Sequence, residues 1–117
     1  MPYLKINYDE TEIPLEEIDL PEDTEGFLDA CYSHLHCGCI EVVPTVLRGY
    51  YLIIDECGKL KDGWHNRVNT IASKLYGSWW DTIAGDAILA KVRSADLVPL
   101  TDKEVEWIKD ELHLGFC

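Results

Sequence analysis

The stretch Tyr50-Tyr51-Leu52-Ile53-Ile54-Asp55 decides the fold class of this 117-residue chain. It has the length of a β-strand but no polar face, because five aromatic or aliphatic residues precede its single charged residue. A strand of this composition is typical of the middle of a sheet, where both faces are covered. The stretch therefore predicts a sheet with helices packed on it.

Other segments supply the neighbouring strands. Residues 3–8 alternate in the manner of a half-buried strand, and residues 39–43 lie one loop upstream of the central stretch. Residues 81–92 are rich in apolar side chains on either side of a Gly85-Asp86 turn and supply a further strand. Residues 96–100 predict an edge strand, since Pro99 cannot donate to a neighbouring strand.

Two helices are expected in the first three-quarters of the chain. The first extends from Thr24, its expected cap, to about residue 36, and Gly38 ends it. Its apolar stripe consists of Phe27, Leu28, Cys31 and Leu35. The second, residues 70–76, is capped by Asn69 and closed by Gly77.

A third helix, residues 102–113, has the clearest start signal. Thr101 followed three residues later by Glu104 forms a capping box, and Val105, Ile108 and Leu112 make an apolar stripe. The predicted order is β-α-β-β-α-β-β-α, which gives one compact α+β domain (1–117) with a mostly antiparallel sheet.

The net charge of −12 is concentrated near the amino terminus. Eleven acidic residues and no Lys or Arg lie between Ile6 and Leu47. Part of this charge lies in a connection, residues 9–23, where Pro14 and Pro21 disfavour regular structure and mobility of the chain is expected. Such a field repels DNA and anionic membranes, and it attracts basic protein surfaces or cations.

The sequence offers a partner-binding surface on this acidic region and on a tryptophan pair. The candidates are Glu12, Glu16, Glu17, Asp19, Glu22, Asp23, Trp79 and Trp80. Exposed Trp is enriched at interfaces, although a ring packed between elements is the commoner case. The alternative for the acids is a solvated face, and those at the start of the first helix also suit its dipole.

Two other kinds of site compete with this one. A small-ligand or nucleotide site is suggested by Lys59, Lys61, Trp64, Arg67 and Asn69. Zinc ligation is suggested by Cys31, His34, Cys37 and Cys39, but their spacing lacks a paired C-x-x-C, and we predict neither metal nor cofactor. No nucleophile elbow or phosphate-binding glycine loop indicates an enzyme.

Compartment signals are few. The chain has no apolar run near the ~18 residues of a membrane span. The amino terminus lacks the pattern of a signal peptide, and the odd count of five cysteines suggests reduced thiols. A cytoplasmic protein is therefore expected.

Four blocks between residues 38 and 90 resemble a known family. They are Gly38-x-Ile40-Glu41-Val42-Val43, Asp55-Glu56-x-Gly58-Lys59-Leu60, Asn69-x-x-Ala72-Ser73-x-Leu75-Tyr76-Gly77 and Asp81-x-Ile83-x-Gly85-Asp86-Ala87. The series is similar to a small uncharacterised domain family encoded by bacteriophages, prophages and plasmids. The chain departs from that family at residues 64–67 and at His36, Cys37 and Cys39.

This resemblance implies a mobile-element origin and a bacterial cytoplasm, but no chemistry. Together with the charge, it leads us to expect a non-enzymatic phage accessory protein that binds a basic surface of a host protein. Such a protein would be an anti-defence inhibitor or DNA mimic. A nucleotide-binding module is the first alternative, and a zinc protein or enzyme is the second.

Overall fold

A computed structural model describes residues 2–9, 14–77 and 81–114, with side chains up to Glu111 in the last helix. The strands are β1 (Tyr3–Ile6), β2 (Leu15–Ile18), β3 (Ile40–Pro44), β4 (Tyr50–Asp55), β5 (Ala87–Arg93) and β6 (Asp96–Val98). The helices are α1 (Thr24–Leu35), α2 (Thr70–Tyr76) and α3 (Asp102–Leu114), with 3-10 turns at Gly58–Leu60 and Trp64–Arg67. None of these helices is long and apolar enough to cross a membrane.

The six strands form one antiparallel sheet in the order β2-β1-β5-β4-β3. Strand β1 pairs with residues 87–89 of β5, and strand β6 pairs with residues 91–93 of the same strand. The α+β class is confirmed; β4 is an interior strand next to the edge strand β3, and β5, not β4, is the central strand. Strand β6 is an edge strand that ends just before Pro99, as expected for a residue without an N–H.

Two cores lie on opposite faces of the sheet. Leu52 and Ile53 are adjacent in β4 and both fully buried, yet they belong to different cores because successive strand side chains point to opposite faces. Helices α2 and α3 cover the Leu52 face, and α1 covers the Ile53 face. The unbroken apolar stretch is therefore explained by cover on both sides.

Strand β2 corrects the prediction of an irregular acidic connection. Pro14 and Pro21 bracket this strand rather than interrupt it. Leu15 packs against the α2/α3 core, and Ile18 is buried in the α1 core. A four-residue strand with two central glutamates shows too little alternation to be recognised in the sequence.

Helix α1 also begins and ends differently from the prediction. Asp23, not Thr24, is the N-cap, and its carboxylate accepts a hydrogen bond of 2.8 Å from the Gly26 amide. His36, not Gly38, adopts the left-handed conformation (φ 53°) that closes the helix. The amide of Cys37 then donates to the Tyr32 carbonyl, so the C-terminal hydrogen bonds are made without a glycine.

The capping box of α3 is confirmed. The Thr101 hydroxyl accepts from the Glu104 amide at 3.1 Å, and the Glu104 carboxylate accepts from the Thr101 amide at 3.0 Å. Val105 and Ile108 are buried against the sheet, whereas the Leu112 side chain lies outside the described part.

Candidate functional site

Six exposed carboxylates follow one another along strand β2 and the start of helix α1. We call this surface the acidic edge; it consists of Glu16, Glu17, Asp19, Glu22, Asp23 and Glu25. The first two are fixed on the outermost strand of the sheet, and the last two by the first turn of α1. Of the predicted partner-binding residues, Glu16 and Glu17 lie on a strand and Asp23 caps a helix, whereas Asp19 and Glu22 lie in the connection between them.

Few cations face the acidic edge. Lys109 of α3 pairs with Glu17 at 3.2 Å. Lys5 lies opposite Glu16 in the β1–β2 register, but its ammonium group also approaches Asp86 at 3.8 Å. Asp19 and Glu22 form no ion pair with any residue that the structure describes. Negative charge therefore remains uncompensated at the centre of the edge.

Three predicted partner-binding residues, Glu12, Trp79 and Trp80, lie outside the described residues. A tryptophan that the sequence did not single out is exposed instead. Trp107 on α3 is 44% exposed, and its ring contacts Tyr50 at a centroid distance of 6.2 Å. The predicted stripe containing Val105 and Ile108 already leaves Trp107 off the buried face, because residues one or two positions apart on a helix do not face the same way.

A cavity of about 230 Å³ lies where β4 ends, beside the end of α1 and the turn before β5. Its charged lining residues are Asp55, Lys61, Arg67 and Asp86. The two carboxylates are nearly buried, and the Tyr8 amide donates to Asp86 at 3.0 Å. The cavity can accommodate a small polar molecule.

Two of the three basic residues of the predicted ligand site, Lys59 and Lys61, are neutralised by ion pairs. Lys61 pairs with Asp55 and donates to the His36 carbonyl at 2.8 Å, and Lys59 pairs with Asp81. Arg67 is exposed and makes no ion pair with the residues of known placement. A phosphate in this cavity would thus have one unengaged cation, which is weak support for nucleotide binding.

Three of the five residues of the predicted ligand site, Lys59, Trp64 and Asn69, do not line this cavity. Trp64 is half-buried, with its ring edge-on to His65 at 6.3 Å. Asn69 is fully buried, and its carboxamide bonds the Ile6 and Gly85 carbonyls and the Ala72 amide. Its helix-cap role is confirmed, and its hydrogen-bonding groups are engaged within the protein.

The four zinc candidates are divided between core and surface. Cys31 is fully buried in the α1 core, where burial raises the pKa of its thiol to about 11, with a smaller contribution from Cys37. His34 and Cys37 are half-buried and Cys39 is exposed. Across the described ranges, no three His, Cys, Asp or Glu side chains are placed to hold a metal ion.

Fold and surface together define a single-layer antiparallel sheet, covered by helices on both faces, with an acidic outer edge. The chain belongs to the family described as Domain of unknown function (DUF3846), whose match covers residues 4–113. The match is thus much wider than the resemblance at residues 38–90. No curated protein and no solved structure is significantly similar to the chain.

Proposed function

We propose that this protein is a non-enzymatic accessory protein of a phage or other mobile element, and that it binds a basic surface of a host protein. The observation that carries the proposal is the acidic edge, where six exposed carboxylates have one ion-pair partner, Lys109, among the residues that the structure describes. Such a surface is complementary to a nucleic-acid-binding groove, and the protein would then be an anti-defence inhibitor or DNA mimic.

Structural roles account for only part of the acidic sequence. Asp9 accepts from the backbone amide and hydroxyl of Thr70 at the start of α2, and Asp23 caps α1. Asp19 and Glu22 have no such role among the described residues and remain exposed. An exposed charge cluster without internal partners steers association with an oppositely charged protein, which supports an interaction surface.

The matched experiment reverses two carboxylates inside the acidic edge and two elsewhere. The test variant is Asp19→Lys with Glu22→Lys, and the control is Asp62→Lys with Glu106→Lys; all four positions are exposed. Both variants change the net charge from −12 by +4, to −8, so only the location of the charge differs.

Captured host proteins are compared by mass spectrometry after pull-down from bacterial lysate at low and at moderate salt. We expect a basic protein that the parent and the control retain and that the test variant loses. Binding should weaken as salt rises, because the screening length falls to about 8 Å at physiological ionic strength. Equal capture by both variants would show that the edge is only a solvated face.

A second candidate is a small-ligand module centred on the 230 Å³ cavity. Its support is Arg67, which faces the cavity without an ion pair among the residues described. Native mass spectrometry of the purified protein tests this candidate, with Arg67→Ala expected to remove any bound anion.

A further inference from the structure

The hydrogen-bond pattern of the β1–β2 pair shows which backbone groups of β2 face outward. The Asn7 amide donates to the Pro14 carbonyl at 2.9 Å, so this pair is a hydrogen-bonded one. Hydrogen-bonded and non-hydrogen-bonded pairs alternate along an antiparallel ladder. In the observed register, Glu16 and Ile18 therefore bond to β1, while the N–H and C=O groups of Leu15 and Glu17 point away from the sheet.

Within the described ranges, no backbone group pairs with these four outward groups. Strand β2 is the last strand of the sheet on this side, and neither Leu15 nor Glu17 makes an outward backbone hydrogen bond to a described residue. An open edge of this kind is a template for an added strand.

The charges on the edge select the occupant. An antiparallel second copy pairing through β2 would bring Glu16 against Glu16 in one register or Glu17 against Glu17 in the other, and like charges directly opposite each other are destabilising. A segment with Lys or Arg at those places gains opposite-charge pairs instead. We propose that β2 binds an extended basic segment of the partner as an additional strand, a mode of binding that rests on the proposed function.

The position of Glu16 favours this pairing. In an antiparallel guest strand, the residue opposite Glu16 occupies a non-hydrogen-bonded site, where Cα atoms approach to about 4.5 Å and side chains are closest. Glu17 projects from the opposite face, toward Lys109. Two consecutive basic residues of the guest would therefore meet one carboxylate on each face.

The probe is a synthetic peptide, Thr-Val-Lys-Lys-Val-Thr with blocked ends, titrated against the full chain by NMR or fluorescence anisotropy. Two further forms of the peptide are N-methylated at alternate residues: one at the odd-numbered positions and the other at the even-numbered positions. Only one set of amides faces β2, so one methylated form should bind about tenfold more weakly and the other should match the parent peptide. The Glu-Glu analogue should not bind.

A matched pair of protein variants tests whether the outward N–H of β2 takes part in binding. Glu17→Gln removes the charge and keeps the outward N–H, whereas Glu17→Pro removes both, at an edge position where proline is tolerated. We expect about tenfold weaker peptide binding for Glu17→Pro than for Glu17→Gln. Should Glu17→Pro unfold, the two methylated peptides still decide the question on the parent protein.

Equal binding of both methylated peptides would overturn strand addition in favour of simple charge attraction. An absence of binding by every peptide would also overturn it, and would leave the edge charges as protection against aggregation. Loss of host-protein capture by Asp19→Lys with Glu22→Lys in either case would keep the proposed function while removing this inference.

Discussion

Asn69 connects three parts of the fold through one buried carboxamide. Its nitrogen donates to the Ile6 carbonyl at the end of β1 and to the Gly85 carbonyl before β5, at 2.8 and 2.9 Å. Its oxygen accepts from the Ala72 amide at 3.0 Å and caps α2. The sequence predicted the cap, because Asn before a helix is a local signal, but not the two long-range bonds.

Asn69→Ala should destabilise the protein by about 3 kcal/mol, because it removes the cap and leaves two carbonyls near the core without their donor. Asn66→Ala is the control, since Asn66 is exposed and should cost at most about 0.5 kcal/mol. Urea unfolding measures both. A similar cost for the two variants would mean that the carboxamide contributes no more than a surface side chain.

The Glu104 carboxylate interacts with three residues, Tyr50, Thr101 and Lys91. Partial burial alone raises its pKa, but hydrogen bonds from Tyr50, Thr101 and Lys91 outweigh this effect and lower the pKa from 4.5 to about 2. Burial, followed by the bond to Glu104, raises the pKa of Tyr50 to about 12, so its hydroxyl stays a donor.

The lowered pKa of Glu104 predicts an acid-dependent loss of stability. Its contribution is fully present above pH 4.5 and is lost as the pH falls toward 2, because the unfolded chain binds this proton more tightly. Glu104→Gln should be less stable than the parent at pH 6, and the difference should shrink between pH 4.5 and 2. Parallel stability curves over that range would contradict the assignment.

At the scale of elements, α3 was predicted well because its start signal is local. Thr101→Ala should cost about 1 kcal/mol, since the Glu104 amide loses its side-chain acceptor. Thr101→Ser keeps that acceptor and should remain within a few tenths of a kcal/mol of the parent. Thermal unfolding compares the two. Equal melting midpoints for the Ala and Ser variants would remove Thr101 from the cap.

Strand β2 shows where local patterns end. It holds four residues, two of them charged, and only its pairing with β1 makes it a strand. Its place in the sheet changes the meaning of the acids, because Glu16 and Glu17 are fixed on an edge rather than carried by a loop. Glu17→Lys would place a second cation against Lys109, so it is a poorer test of charge than Asp19→Lys.

At the scale of the whole molecule, the apolar stretch of β4 correctly predicted a sheet covered on both faces. Successive side chains of a strand point to opposite faces, so a stretch without polar residues must be covered on both. The cavity beside Asp55 was not predictable in this way. Its walls come from α1, β4 and residues 84–86, which meet only after the sheet has assembled. The residues predicted to bind a ligand therefore included Asn69, which is buried, and omitted Asp86, which lines the cavity.

The two cores share one sheet, and this predicts a single cooperative unfolding transition. Ile88 and Leu89 are adjacent in β5 and fully buried, one in each core. Ile88→Ala and Leu89→Ala should each cost about 3 kcal/mol, whereas Val42→Ala, at a position 41% exposed, should cost less than about 1 kcal/mol. For each variant, the urea midpoint measured by circular dichroism and those measured by hydrogen exchange in the two cores should shift together. We expect this because each core is formed against the same sheet and loses its packing when the sheet unfolds. A midpoint that moves in only one core would show that the α1 layer unfolds separately from the α2/α3 layer.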